Sequence, residues 1–303
     1  MTFENSFLGQ TGLNVSRLGA GLSEIGSDLT LAQEDTARQL LNSALDGGIN
    51  FLDTSACYGI SEDLIGRTIA HRRADYLLAT KCGHRWEKYA DQPWTAQIVR
   101  DSIDRSLTRM RTDYLDLVQL HSCEITVLEQ GEVIQALLDA KQAGKTRFIG
   151  YSGDNEAAQW AVASGYFDTL QTSFNMVDQH ARTRLFPEAR NRGMGIIAKR
   201  PIANGVWTAP ASPSRYADRY FERAQKILDL GSIPHAPENP ILLALGFTLA
   251  HPEVNTAIVG TQNPQHMEIN LNWFENELPI ASEAVRELQS RFDRLGKNWV
   301  QLR

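Results

Sequence analysis

Four polar side chains in the first 121 residues could share one reaction: Asp53, Tyr58, Lys81 and His121. Asp53 and Tyr58 lie in the stretch Asn50-Phe51-Leu52-Asp53-Thr54-Ser55-Ala56-Cys57-Tyr58-Gly59, where an apolar run breaks off into a carboxylate and, five residues later, a tyrosine before glycine. A tyrosine hydroxyl titrates near 10 in water, so it is a poor proton donor at pH 7 unless a nearby cation stabilises the phenolate. A carboxylate holding that cation keeps it charged and aimed. Taken singly, the residues also read as a turn carboxylate, a half-buried ring, a rim lysine and a satisfied core histidine. Their joint position, each at the end of an apolar run, is what suggests a site.

The elements that must position them alternate. Leu8 to Gly19 alternates apolar and polar positions around Thr11-Gly12, which predicts a short hairpin, followed by a first core strand near Leu18 to Leu22. Thr30 with Gln33 forms a capping box, and Ala37, Leu40, Leu41, Ala44 and Leu45 give one helical face up to Gly47-Gly48. The same unit recurs. Helices are expected from Ser61 to about His71, through Val99 to Met110, through Ile134 to Lys141, and near 156–163, 181–192 and 240–250. The strands are expected near 76–81, 115–121, 146–151, 169–174, 195–198 and 256–259. Counting gives eight strand and helix units, the pattern of parallel pairing through crossovers and the size of a closed (β/α)8 TIM barrel. An open doubly wound sheet is the rival, but the first turn lacks GxGxxG. In a barrel, Asp53, Lys81 and His121 would all reach the C-terminal mouth. No domain boundary is evident over residues 1–303, and the long irregular piece is 203–237, rich in Pro, Ser and Ala, after the seventh strand.

Composition narrows the class. With 42% hydrophobic and 22% charged residues and a net charge of −6, the chain is suited to neither nucleic acid nor anionic membrane. The N-terminus has no signal-peptide pattern and no window is apolar enough to span a membrane, so a cytoplasmic location is expected. Three cysteines, Cys57, Cys82 and Cys123, without a CxxC pair, imply reduced thiols. They should sit around one rim, as buried small hydrophobes or as thiols that make activity sensitive to modification. No ligand-pair spacing supports a metal site with His84 or His121.

The chain resembles the aldo-keto reductase family over most of its length. The matching pieces are Leu8-Gly9-Gln10-Thr11-Gly12-Leu13, Val15-Ser16-Arg17-Leu18-Gly19, Asp53 to Gly59, Ala79-Thr80-Lys81, Asp116 to His121, and Gly144-Lys145-Thr146-Arg147-Phe148-Ile149-Gly150-Tyr151-Ser152. The resemblance implies a nicotinamide-dependent carbonyl reductase in which Tyr58 donates a proton as hydride arrives, Lys81 paired with Asp53 depresses the pKa of Tyr58, and His121 orients the carbonyl. It also implies that Ser152 and Gln171 hold the carboxamide and that Asn270 lies near the adenine.

Departures from the family pattern bear on the coenzyme. The asparagine that should follow the matching serine is Gly153, leaving an amide contact to Asp154 or Asn155. Lys199, within Ala198-Lys199-Arg200-Pro201-Ile202-Ala203, stands where many members place an aromatic ring over the nicotinamide, and would reach for the pyrophosphate. Gly260-Thr261-Gln262-Asn263-Pro264 reads as a turn into a short helix whose free N–H groups suit a phosphate. From Gly260 to Asn270 there is no Lys or Arg, and His266 stands at a position often basic. NADPH is the expected cofactor, with NADH the alternative.

Walls for a small carbonyl substrate are expected from Ile25, from Trp86, Tyr89 and Trp94 in the loop after Lys81, and from Trp207. Two other readings accompany the reductase: an NAD-dependent dehydrogenase oxidising a sugar or alcohol, and a slow or non-catalytic cofactor-binding regulatory barrel. The oligomeric state is left open.

Overall fold

A computed structural model describes residues 4–86 and 93–302. The first pairing is the expected hairpin: β1 (Asn5–Phe7) runs antiparallel to β2 (Asn14–Ser16), joined through a 3-10 turn at Gly9–Thr11. Next come β3 (Leu18–Gly21), α1 (Ser23–Ser27), α2 (Glu34–Asp46), β4 (Phe51–Asp53), α3 (Ser61–Thr68), β5 (Leu77–Cys82), α4 (Ala96–Met110) and β6 (Leu115–His121). The chain continues with α5 (Ile125–Gln130), α6 (Glu132–Gln142), β7 (Thr146–Ser152), α7 (Asn155–Ser164), β8 (Thr169–Ser173), α8 (His180–Thr183), α9 (Leu185–Asn191) and β9 (Gly195–Lys199). It ends with α10 (Asp218–Leu228), α11 (Pro240–Leu249), β10 (Thr256–Gly260), α12 (Pro264–Asn276) and α13 (Ser282–Leu295).

Strands β3 to β10 pair in parallel and in chain order, and β10 returns to β3, closing an eight-stranded barrel. This is the (β/α)8 TIM barrel that the alternating pattern predicts, with the hairpin at its N-terminal end. Register delivers the polar ends together: Asp53 pairs with Ala79, Lys81 with Gln119, His121 with Ser152, Ser152 with Gln171, and Ser173 with Lys199.

Two apolar interiors result. The larger lies mainly between strands and helices, and it takes Leu40, Leu41 and Ala44 from α2 as the periodicity requires. The smaller fills the barrel floor, where Leu8, Leu13 and Val15 of the hairpin region meet Phe51, Ala79, Leu117, Ile197 and Ile258. Burying each such Leu, Ile or Phe contributes about 1.5–3 kcal/mol, so the hairpin is a plug rather than an ornament.

Local departures have local causes. The Thr30–Gln33 capping box forms, but on a 3-10 turn at Leu31–Gln33 that leads into α2. The helix expected over 181–192 is two helices broken at Arg184. Pro187 lies in the first turn of the second, where its missing N–H costs nothing. The segment 203–237 is not wholly irregular, because α10 lies inside it and buries Tyr220, Arg223, Ala224 and Ile227. The short helix expected after Asn263 runs thirteen residues as α12.

Candidate functional site

Strand β4 ends in Asp53 and β5 ends one residue after Lys81, so their side chains meet across the mouth. Lys81 Nζ donates to Asp53 Oδ2 at 2.5 Å and to the Thr54 carbonyl at 2.9 Å. The two side chains are 1% and 2% exposed, so this ion pair is desolvated. Asp53 Oδ1 accepts from Gln171 Nε2 at 2.8 Å and from Gln119 Nε2 at 3.3 Å. Burial depresses the Lys81 amine, yet the Asp53 carboxylate more than offsets it, and the pKa is raised overall. The pair thus favours the ammonium form of Lys81.

Tyr58 stands over that ammonium, with Lys81 Nζ 5.0 Å from the ring centroid. Its ring meets the His121 imidazole edge to face, with centroids 5.6 Å apart at 82°. The expected depression of the Tyr58 pKa is not what the site produces: burial pushes it up, and the Lys81 charge, acting the other way, does not win. Tyr58 therefore holds its proton at neutral pH. Burial, followed by the Lys81 charge, keeps His121 well below the usual histidine value, so this ring is neutral. Its Nδ1 lies 3.2 Å from Ser55 Oγ, a partner that sequence spacing did not reveal because Ser55 carries no strand-end signature.

Ser152, Gln171, Lys199, Arg200, Pro201, Ile202 and Gly260 line, with Tyr58 and His121, a cavity of about 650 Å³. Ser152 Oγ donates to Gln171 Oε1 at 2.9 Å, chaining Ser152 through Gln171 to Asp53. Lys199 does not stand free: its Nζ is 3.0 Å from Asp154 Oδ2. Arg200 Nη1 donates to the Leu302 carbonyl at 2.8 Å and to Ser173 Oγ at 3.1 Å, and its guanidinium lies over the Tyr216 ring. Burial would raise the Asp154 carboxyl, but Lys199 and Arg200 bring its pKa below the usual value.

The missing asparagine at 153 has a steric reason. A Cβ on Gly153 would lie 2.5–2.7 Å from the Tyr151 ring and hydroxyl, and that hydroxyl is fixed by donation to the Cys123 carbonyl at 2.7 Å. Neither neighbour supplies an amide in its place. Asp154 accepts from Thr172 Oγ1 and Ser173 N, while Asn155 is bound to Gln301 of the C-terminal segment.

Of the residues expected at the adenosine end, Thr261, Gln262, His266 and Asn270 stand outside the cavity lining. Thr261 Oγ1 accepts from Asn263 N and shapes the turn, Asn263 caps α12 by accepting from Gln265 N, and Gln262 and His266 are exposed. Asn270 is buried on α12. A carboxylate flanks this end: the Glu24 oxygens would lie 2.1 and 2.4 Å from a Cβ on Gly260. Sequence patterning passed over Glu24, since it belongs to no strand end.

Among the expected substrate walls, Ile25 is fully buried in the large core and Trp207 is buried against the same core, so neither lines the cavity. Trp94 covers Gly83, where φ is +104° and a Cβ would lie 2.1 Å from the indole, and it meets His84 edge to face at 5.2 Å. Trp86 faces a smaller recess with Cys57, His84 and His121. Tyr89 lies outside the described residues. The three thiols are not equivalent. Cys57 is exposed, whereas Cys82 and Cys123 are buried, and burial pushes both thiols up, Cys123 to about 12.

The sequence matches the Aldo/keto reductase family profile over residues 17–290. L-galactose dehydrogenase of Arabidopsis thaliana is 34% identical over 280 residues, 87% of this chain and 86% of that one. The 6-dehydroglucose reductase of Novosphingobium aromaticivorans is 29% identical, covering 84% and 85%. An aldo-keto reductase of Bacillus halodurans, solved in its holo form, superposes with a TM-score of 0.81 at 27% identity over 95% of this chain and 96% of that one. The chain belongs to the aldo-keto reductase family, a family of nicotinamide-dependent oxidoreductases acting on small carbonyl compounds. Among the described residues no helix is long and apolar enough to cross a membrane.

Proposed function

We propose that this protein reduces a small aldehyde or ketone at the barrel mouth with a nicotinamide cofactor, and that Tyr58 carries the proton. The observation that supports it best is the stacking of one neutral phenol over the buried Lys81–Asp53 ion pair, 5.0 Å from ring centroid to ammonium, beside a neutral imidazole. When bound, the cofactor supplies the hydride.

The chain supplies the rest. Tyr58 Oη–H is protonated at neutral pH and donates to the carbonyl oxygen, and Lys81 stabilises the phenolate left behind. Asp53 holds Lys81 in place and offsets its desolvation. If Ser55 Oγ donates to His121 Nδ1, the single proton of the neutral ring sits on Nε2, where it can be given to the carbonyl oxygen and fix its approach.

The donor set fits a dinucleotide. The cavity volume falls in the usual range for cofactor sites. Ser152 and Gln171 offer a hydroxyl and an amide for the carboxamide, and Lys199 and Arg200 offer cations for the pyrophosphate, with Pro201 and Ile202 beside them. Gly260, Thr261 and Gln262 form the turn toward the α12 N-terminus, and His266 and Asn270 flank the adenosine. NADPH is the cofactor the family pattern favours. Trp86 and Trp94 are the described aromatic candidates for the substrate wall.

A second reading, an NAD-dependent dehydrogenase of a sugar or alcohol, is favoured by one specific pairing of facts. Residues 260–270 carry no Lys or Arg for a 2′-phosphate, and Glu24 presses a carboxylate against Gly260. The name of the 34% identical relative points the same way. Fluorescence titration with NADPH and NADH, followed by mixing with a panel of aldehydes and, for the oxidised cofactors, sugars, separates the two. NADPH binding with aldehyde-dependent oxidation supports the reductase, whereas preference for NAD with sugar oxidation overturns it in favour of the second. Binding without turnover on either panel overturns both and leaves a regulatory barrel.

A further inference from the structure

Three soft or borderline donors meet at the rim beside the mouth, and the reaction proposed above uses one of them. The Cys57 sulfur and one ring nitrogen each of His84 and His121 all lie within 4.8 Å of one another. Cys57 Sγ is 3.4 Å from His121 Nδ1, and the two imidazoles stack with centroids 4.6 Å apart at 15°. Chain spacing hides the cluster, because the three residues come from separate segments that follow β4, β5 and the end of β6.

We propose that Cys57, His84 and His121 form a binding site for a zinc-class divalent cation, and that its occupancy draws the His121 ring out of position and inhibits turnover. Zinc bonds of about 2.3 Å to sulfur and about 2.0–2.1 Å to nitrogen put neighbouring tetrahedral donors about 3.3–3.7 Å apart. The Cys57–His121 edge already has that length. The other edges, each within 4.8 Å, need closure of up to about 1.5 Å on the same geometry, and His84 is exposed at the rim. Its Nε2 is 2.9 Å from the His121 carbonyl, which keeps the ring over the site.

The donor set decides the ion. One thiolate and two imidazoles suit zinc, cobalt and copper and offer nothing to magnesium or calcium, which take oxygen ligands. As the sulfur–metal bond forms, the thiol proton leaves to solvent and no oxidation state changes. The fourth position belongs to water or to Ser55 Oγ, 3.2 Å from both Cys57 Sγ and His121 Nδ1. With three protein ligands, two of them exposed, the site is open, and a cation can enter and leave. Bound there, it would hold His121 by Nδ1 and leave the ring proton on Nε2, but it would draw the ring out of its Ser55 contact and add positive charge beside Lys81.

The inhibitory half rests on the carbonyl chemistry assigned to His121; the binding half does not. Cobalt(II) chloride titrated into the reduced protein should give one equivalent of four-coordinate visible absorption with a thiolate-to-cobalt charge-transfer band. Cys57→Ser should lose the band, and His84→Ala should weaken binding by about 10–100-fold. Zinc chloride should inhibit wild-type turnover, a chelator should restore it, and both variants should turn over normally and resist inhibition. Absence of the charge-transfer band, or its persistence in Cys57→Ser, overturns the site. A normal band with undiminished turnover overturns the inhibition. If no carbonyl is turned over and the cobalt band still appears, the site stands and the carbonyl chemistry fails.

Discussion

The Lys81 ammonium and the Asp53 carboxylate meet at 2.5 Å inside the barrel mouth, almost wholly shielded from water. Breaking one partner of such a pair leaves the other charge buried, at a cost of about 3–5 kcal/mol. Asp53→Asn should therefore lower unfolding stability by about that amount in a urea titration, and slow turnover by about 10²-fold or more as the phenol loses its oriented cation. The double variant Asp53→Leu with Lys81→Met should be less destabilised than the sum of its singles, because neither charge is then stranded.

Tyr58 gives the sharpest kinetic expectation. Its pKa is raised above the ordinary 10.0, chiefly by burial, so the donor stays loaded across the neutral range. The reductive rate should be level through neutrality and fall only when the phenol ionises, above pH 10. Tyr58→Phe should lose about 10²–10⁴-fold in turnover and keep its cofactor affinity in a fluorescence titration.

A different pH dependence is built into the support of the mouth. Asp178 is buried behind the C-terminal segment, where Leu302 N donates to its Oδ2 at 2.8 Å, and burial raises its pKa from 3.8 to about 8. The folded state thus binds this proton more tightly than the unfolded one. Its contribution is complete below about pH 4 and is lost progressively up to about pH 8. Asp178→Asn, which keeps an acceptor for Leu302 without a charge, should melt increasingly above wild type as the pH is raised from 5 to 9. Equal melting curves for the two at pH 9 would contradict this.

Coenzyme choice can be moved at α12. His266 is exposed at the start of this helix, and the turn before it carries no permanent cation. His266→Arg should shift kcat/KM toward NADPH relative to NADH, by about the 1.5–3 kcal/mol of a charge-assisted contact, or roughly 10–150-fold. The ratio of initial rates with the two coenzymes measures it.

The barrel and the Asp53, Tyr58, Lys81 and His121 cluster are legible in the sequence because their signals are local. Continuous apolar strands that end in polar residues announce both the pairing and the mouth. Helix α10 escapes such a reading: only Tyr220, Ala224 and Ile227 mark its inner face, and the buried Arg223 beside them looks like a surface residue. Helix α13, with Ala284, Leu288 and Phe292 inward, is hidden in the same way among charges. What could not be read is whatever depends on distant partners. Lys199 looks like a free cation until β7 brings Asp154 to it, and Gly153 looks like a lost contact until Tyr151 is seen in its space. The upward shift of Tyr58 is of this kind too, since burial belongs to the assembled mouth and not to neighbours in the chain.

The plug formed by Leu8, Leu13 and Val15 at the barrel floor is held by an apolar cluster that shares no residue with the cavity lining at the other end, apart from Ile258. Durability and chemistry are thus written in nearly separate alphabets at opposite ends of one cylinder. A lineage, or an engineer, can harden the molecule against heat by repacking the floor without retuning the proton donor, and can remodel the rim without first securing the foundation.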